Sequence, residues 1–277
     1  MKKIILCIDG FGTSKEINGA VLDGYHKGYL KSVSIPANGL AFSPAVNDIL
    51  PECTDLDVGI QLNITANKAL TNCHLLTNCD GEFNGGFLYF YLNSSNRNFM
   101  QQLEKELRAQ IEQVQLYSKI SFITSLSAIH LIPNIFKLCI KLAEDYKIPF
   151  IRTYNENFYF VSNYKKYFNL KFPLNIIKTL VLNILSYQNK SNITNSKIKT
   201  NDFTLGTLYS GINSADTIEC GIKMIVDKNN ITEFILSSEN FNTKTDSDFT
   251  VITDKEIEYL IIQTGFDITS YREFKHE

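Results

Sequence analysis

The sequence predicts an α/β protein: a distorted, parallel β/α barrel of about seven strands. Short apolar runs alternate with stretches of helical periodicity, the mark of βα units rather than of segregated strands and helices. The length of 277 residues falls where single barrel domains commonly fall. Asp9, Asn63, Ser125 and Arg152 each follow an apolar run, and strand ends are where parallel barrels carry their working side chains. No internal repeat and no shift of composition marks a boundary, so residues 1–277 are read as one domain.

Each element has its own warrant. The apolar run Ile4–Ile8 ends at Asp9. It is shorter than the roughly 7–15-residue core of a secretion signal, so Lys3–Ile8 is taken as the first strand of a cytoplasmic protein. Gly10 and Gly12 make a loop before a helix over Lys15–His26. Lys31–Ile35 is a strand, Ala41–Leu50 a short helix, and Val58–Ile64 an apolar strand interrupted mainly by Gln61 and Asn63. Residues 65–96 are rich in Asn, Gly and Thr and form a loop insertion, long enough to be functional or to hold a small hairpin. Phe99, Leu103, Leu107, Ile111 and Val114 mark one apolar face of a long helix. Strands at Ile120–Ile123 and Pro149–Arg152 flank a helix at Pro133–Tyr146. An apolar helix, Pro173–Tyr187, precedes a second insertion, 188–201, expected to be an exposed polar linker. A helix near Ser214–Val226, a strand at Glu233–Ser237 and a helix at Asp254–Thr264 follow.

Composition excludes several functions. Apolar residues at 44% and charged residues at 20% describe a folded soluble domain. Twenty-seven basic and 29 acidic side chains give a formal net charge of −2 without long runs of either sign, which argues against nucleic acid. No apolar stretch approaches the roughly 20 residues of a membrane span. None of the six cysteines forms a CxxC pair, which excludes a zinc ribbon or a thioredoxin motif, and reduced thiols suit the cytoplasm. Only four histidines exist: His26 in a helix, His74 in the long loop, His130 at a strand end and His276 near the terminus.

Several blocks carry a resemblance. Lys31-Ser32-Val33-Ser34-Ile35 with Asn38-Gly39 and Ala41-Phe42, then Val58-Gly59-Ile60-Gln61-Leu62-Asn63-Ile64-Thr65, then Asp80-Gly81-Glu82-Phe83 resemble successive segments of the YdjC-type carbohydrate deacetylases. Glu106-Leu107-Arg108-Ala109-Gln110-Ile111, Ile148-Pro149-Phe150-Ile151-Arg152, Ile252-Thr253-Asp254 and Ser270-Tyr271-Arg272-Glu273 continue the series in order. The resemblance implies a polysaccharide-deacetylase-like barrel, a divalent metal such as Mg or Zn, and an N-acetylated sugar as substrate. The family's "A-D-D-F-G" stands here as Ile8-Asp9-Gly10-Phe11-Gly12: the base position is Asp9 and the metal position Gly10. The ligand His of "G-x-H-L-N" is Gln61. In "D-S-H-x-H-x-H-L-x-P" the ligand position is Leu126, the middle His is Ala128 and the last is retained as His130. The His of "E-L-x-C-H-P-G" is Ser237, with Glu239 at the Gly.

Metal-assisted amide hydrolysis needs a Lewis acid held by about three ligands, together with a base and an acid. Glycine and leucine cannot coordinate, and the amide oxygen of Gln61 is a poor exchange for imidazole. No metal is therefore expected among Asp9, Gln61 and Leu126, and no cofactor elsewhere, with Leu126 and Ala128 refilling the vacated volume. Asp9 is a residual base, a hydrogen-bond acceptor or a loop cap before Gly10. Phe11, Gln61, Asn63, His130 and Arg152 are the candidate substrate contacts. The alternatives are a backbone cap for Asn63, an ion pair for Arg152 and a packing role for His130. Tyr25, Tyr89, Tyr91 and Tyr154 are candidates for stacking on a sugar ring, and Glu239 for repurposing the pocket. Two functions remain: a pseudoenzyme binding a glycan or a partner without hydrolysis, and an N-acetyl-sugar deacetylase using a rebuilt metal site or a metal-free mechanism around Asp9. Expected partners are an N-acetylated sugar, further copies of the chain in a homo-oligomer, or an active paralogue.

Overall fold

The structure is a computed structural model describing residues 2–162, 167, 171–225, 231–236, 251 and 255–276. The sequence features at Ser237, Glu239, Thr253 and Asp254 lie outside the described residues. β1 (Lys2–Asp9) leads through α1 (Lys15–His26) to β2 (Ser32–Ile35), and α2 (Phe42–Pro44) runs on through irregular helical turns to β3 (Asp57–Leu62). α3 (Phe87–Asn93) and α4 (Arg97–Gln115) precede β4 (Ile120–Ser125), a 3-10 segment (Leu126–Leu131) and α5 (Pro133–Asp145). β5 (Phe150–Ile151), α6 (Lys171–Gln188), α7 (Lys190–Thr194), β6 (Phe203–Leu205), α8 (Ala215–Lys223), β7 (Thr232–Leu236), α9 (Lys255–Gln263) and β8 (Phe266–Thr269) complete the order.

All strand pairings are parallel, and seven strands curl into a half-barrel in the order β5-β4-β3-β2-β1-β7-β6. β8 pairs with Lys2–Ile5, on the edge of β1 whose other end carries β2, because β7 already occupies the opposite edge at Ile4–Ile8. The open side is stitched by a parallel bridge between Phe150 and Lys199, on the segment that leads into β6.

Helix starts follow local chemistry. Ser14 caps α1 by accepting from the Ile17 N–H, and Asn96 caps α4 by accepting from Asn98 and Phe99. The α4 stripe Phe99, Leu103, Leu107, Ile111 and Val114 is buried against the outside of the sheet.

Inside the curl lies a second, smaller apolar layer of Ile5, Cys7, Phe122, Phe150, Tyr271 and Phe274. Phe122 reaches it through a bulge: Val58 pairs with Ile120 but Ile60 with Ile123, so two residues of β4 oppose Gly59 alone. Tyr271 stacks on Phe122 with centroids 4.5 Å apart, so the segment after β8 plugs the curl from below. Arg272 fastens the plug by donating its backbone N–H to Asp57 Oδ2 at 3.0 Å.

Both insertions are more ordered than plain loops. Residues 65–96 carry antiparallel bridges of the kind a small hairpin makes, Lys68 to Glu82 and Thr77 to Phe83, and in addition the helix α3. Glu106 anchors this excursion by accepting from the N–H groups of Leu70 and Thr71. Residues 188–201 are not a wholly exposed linker: they hold α7, and Asn189 is buried, donating to the carbonyls of Leu131 and Leu185. β6 and β8, with three and four residues, are too short to leave a periodic trace.

A Cβ placed on Gly59 would lie 2.3 Å from the Phe122 ring, which cannot retreat because Tyr271 stacks on it. Gly59→Ala is expected to lose about 1–3 kcal/mol of stability in urea unfolding, from overpacking rather than lost contact. An unchanged midpoint would mean that the bulge tolerates a side chain.

Candidate functional site

The strands deliver their C-terminal ends to one face, where a small pocket is lined by Asp9, Gln61, Ser125, Ser127, Ala128, Tyr154, Lys178, Gly206, Thr207, Ser210 and Ile235. The pocket is small, with a volume of about 30 Å³, and it opens to the surface.

Below the pocket lies Arg152, fully buried. Its Nη1 donates to Asp9 Oδ2 at 2.6 Å and to Thr124 Oγ1 at 3.1 Å. Nε and Nη2 form a fork onto Glu233, at 2.8 and 2.6 Å. Glu233 Oε2 also accepts from the Tyr271 hydroxyl at 2.6 Å, so the polar column runs from the pocket floor to the plug. Burial raises the Glu233 pKa against the pull of Arg152. Burial also opposes the charge on Arg152, but Asp9 and Glu233 outweigh it and hold the guanidinium protonated. The other oxygen of Asp9 accepts from Ser34 Oγ at 2.7 Å. Asp9 is thus an acceptor engaged on both oxygens; it does not cap the loop, since Gly10 and Phe11 both donate to the Ser34 carbonyl.

Of the residues expected at the site, Asp9 and Gln61 meet in the pocket, and four others take different places. Phe11 is buried in the outer core. Asn63 is a cap: its Oδ1 accepts from the N–H groups of Thr65 and Ala66, and its Nδ2 donates to Asn38. Arg152 is held in its ion pairs. His130 donates from Nε2 to the Arg152 carbonyl at 3.0 Å, which leaves Nδ1 to accept from Ser125 Oγ at 2.6 Å. Burial lowers the His130 pKa to about 4, so the ring is neutral and structural. Tyr154 reaches the pocket, whereas Tyr89 packs on Phe90 and Phe99 and Tyr25 lies beside His26. His74 is placed near Gln102, away from the pocket.

Leu126 does not line the pocket, so only Ala128 fills it. The cause is backbone: Ser127 and Ala128 both take positive φ, 54° and 52°, and the double left-handed step turns the chain. Gly10 has φ 90°, a conformation any side chain strains.

Lys178, Gly206, Thr207 and Ser210 complete the lining without belonging to any sequence motif. Lys178, the one charged residue of the apolar stretch Pro173–Tyr187, is the visible signal in the sequence. The Gly206–Leu208 turn follows unforeseen β6, and the buried Glu156 carboxylate grips its three N–H groups at 2.9–3.1 Å.

A divalent metal does not fit these residues. Gly10 and Leu126 offer no donor to the pocket, and Asp9, already paired with the Arg152 guanidinium and accepting from Ser34, is a single carboxylate where an ion needs about three ligands. Gln61 Oε1 is buried without a partner, but it is a single neutral oxygen. Among the described residues no cluster of three or more His, Cys, Asp or Glu could hold an ion.

Fold and pocket together define a parallel α/β half-barrel with a polar site at its C-terminal face. Residues 3–258 match the YdjC-like protein family, and the chain belongs to it. A carbohydrate deacetylase of Brevibacillus brevis is 32% identical over 53% of this chain and 58% of its own length. A carbohydrate deacetylase of Listeria monocytogenes is 34% identical over 54% of this chain and 60% of its own. The matched region thus spans somewhat over half the length of these relatives. The crystal structure of an Enterococcus faecalis protein described as a cellobiose-phosphate cleavage protein superposes with a TM-score of 0.72 at 16% identity, covering 99% of this chain and 98% of that one; it shares the fold.

The His130 pKa has a measurable consequence. Between pH 6.5 and about 4 the unfolded chain protonates this imidazole and the folded chain does not. The unfolded state then binds more protons, so stability falls as the pH drops through that window. Chemical denaturation is expected to show a loss of roughly 3 kcal/mol from this group by the acid end. His130→Gln should be less stable at neutral pH but show a correspondingly flatter acid slope; equal slopes in both proteins would rule out a buried neutral His130.

Proposed function

We propose that this chain is a carbohydrate-deacetylase homologue that binds an N-acetylated sugar or glycan, or a protein partner, without hydrolysing it, and that it works in the cytoplasm. The observation that carries this reading is the donor set of the pocket: among the described residues its one carboxylate, Asp9, is held by Arg152 and Ser34, beside the neutral Gln61. Activating water requires a basic carboxylate and a Lewis acid that needs several ligands, whereas Asp9 has its charge balanced by Arg152 and stands without further ligands beside it. The same walls suit recognition. Gln61 Oε1 awaits a donor, and Lys178, Ser210 and Thr207 offer polar atoms to hydroxyl and acetamido groups. The free cysteines among the described residues accord with a reducing compartment.

The second reading, an active N-acetyl-sugar deacetylase, rests on Asp9 and Lys178 lining the same pocket, a base position beside a cation. Incubation with N-acetylglucosamine oligomers, with and without added Mg or Zn, separates the two. The expected result is no acetate release, with saturable binding by calorimetry that Gln61→Ala weakens about threefold to tenfold. Acetate release by the wild type, abolished in a folded Asp9→Asn variant, would establish the active reading instead.

Rebuilding the ancestral ligands is a separate test. Gly10→Asp, Gln61→His and Leu126→His act as a unit, so single changes should add no metal affinity. The φ of Gly10 adds a cost of about 1–2 kcal/mol for any side chain there. Because the chain path keeps residue 126 out of the pocket, the triple variant is expected to unfold at lower urea and to gain no protection from added Zn; a Zn-dependent rise in its urea midpoint would show that the backbone can turn residue 126 inward. Zinc binding by the wild type at this pocket would contradict the donor argument.

A further inference from the structure

The far wall of the pocket is held by a side chain that does not line it. Glu156, 2% exposed, lies against the turn that follows β6. Its Oε1 accepts from the Gly206 N–H at 3.0 Å, and its Oε2 accepts from the Thr207 and Leu208 N–H groups at 2.9 and 3.1 Å. The backbone of Glu156 is itself clamped to α6: its N–H donates to Asn183 Oδ1 and its carbonyl accepts from Asn183 Nδ2. Asn155 ties the same segment to β6, donating its N–H to Thr204 Oγ1 and accepting from the Thr204 N–H. The turn also runs hard against β7, since a Cβ on Gly206, whose φ is 103°, would lie 2.2 Å from the Ile235 carbonyl oxygen. What the turn presents to the pocket is Gly206, Thr207 and Ser210, and the Ser210 N–H donates back to the Thr207 carbonyl.

We infer, on the reading of the pocket as a binding site, that Glu156 is the positioning residue of this wall: its ionised carboxylate sets Thr207 and Ser210 where a ligand meets them, and a proton on it releases them. Three N–H groups share two oxygens, and a carboxylate satisfies all of them because both of its oxygens only accept. Protonation turns one oxygen into a hydroxyl, a poorer acceptor with a hydrogen of its own to place among N–H donors. Either choice weakens the grip, at Gly206 if Oε1 takes the proton and at Thr207 and Leu208 if Oε2 does.

Among the described residues no cation pairs with Glu156, and its charge rests on amide N–H groups. Burial pushes its pKa up to about 7, while the Leu208, Gly206 and Thr207 amides pull it down. The titratable groups around it are Tyr159 on its own segment, Tyr209 beyond the turn and, near both tyrosines, Cys220 on α8. Burial raises the pKa of all three, so each is neutral at that pH. Ahead of β6, Asp202 accepts from the Ile231 N–H, and α6 offers Glu156 the uncharged Asn183. Lys178 of α6 and Asp9 of β1 share the pocket with the turn. Ligand affinity then follows the ionised fraction of Glu156: it is fully present above the Glu156 pKa and is lost as the pH falls through it.

Nitrogen-15 labelling of glycine, threonine and leucine in the full chain lets the amide signals of Gly206, Thr207 and Leu208 be followed by NMR from about pH 5.5 to 8.5. All three are expected to move together with one midpoint at about 7, and to stay at their acid positions in Glu156→Gln, which keeps the shape without the charge. Wild-type amides that do not titrate together would overturn the proposal, with no appeal to a variant or a ligand. So would amides that still titrate in Glu156→Gln. Binding is read by calorimetry with N-acetylglucosamine oligomers, which carry no charge of their own. The wild type is expected to bind about tenfold more weakly at pH 6 than at pH 8, and Glu156→Gln to bind weakly and equally at both. Equal wild-type affinity at the two pH values would overturn the positioning role. Oligomers that bind at neither pH would count against the pocket as a sugar site, and the amide titration alone would then decide whether Glu156 holds the wall.

Discussion

A guanidinium enclosed by a protein has to find anionic partners, because the cost of removing an unpaired charge from water exceeds the stability of most domains. Arg152 finds two, Asp9 and Glu233, and lies 5.4 Å from the centroid of the Phe122 ring as well. Its five N–H donors tie together the ends or middles of β1, β4, β5 and β7, and through Tyr271 the segment that closes the curl from below. Removing one partner from such a set typically costs about 3–5 kcal/mol, since the remaining charge stays buried. The geometry of the pocket floor is therefore a by-product of a structural constraint. Asp9 keeps its orientation whether or not any chemistry uses it.

This dual service accounts for what could be read from the linear chain. Long elements with strong periodicity, such as α1 and α4, were legible because each buries one face against the sheet. The parallel alternation, and with it the barrel-like architecture, followed from them. The Arg152–Glu233 fork was not legible: its partners lie 81 residues apart, and nothing in one dimension couples them. The bulge opposite Gly59 was hidden for a similar reason, since a shift of register belongs to two strands at once. The pocket was legible in its first wall, Asp9 and Gln61. Its opposite wall rests on α6 and on the turn after β6, whose three-residue strand gives no pattern.

The backbone around the site carries as much information as its side chains. Gly10, Ser127 and Ala128 all take positive φ, at the ends of β1 and β4. Two successive non-glycine residues in that region each carry roughly 1–2 kcal/mol of strain, which the buried Ser125–His130 contact helps to hold in place. Local chain path, rather than substitution alone, keeps the Leu126 side chain out of the pocket.

The position of β1 at the centre of the sheet has a consequence for synthesis. Ile4 pairs with Thr232, and Lys2 with Phe266, so the strand made first acquires one whole edge only from strands made last. At about 5–20 residues per second, a nascent chain holds β1 half-paired for on the order of tens of seconds. During that interval an apolar strand edge stands open, and the Arg152 guanidinium has Asp9 within reach but not Glu233. Contacts of such long sequence separation form slowly, so this edge of the sheet is the last part of the fold to be covered.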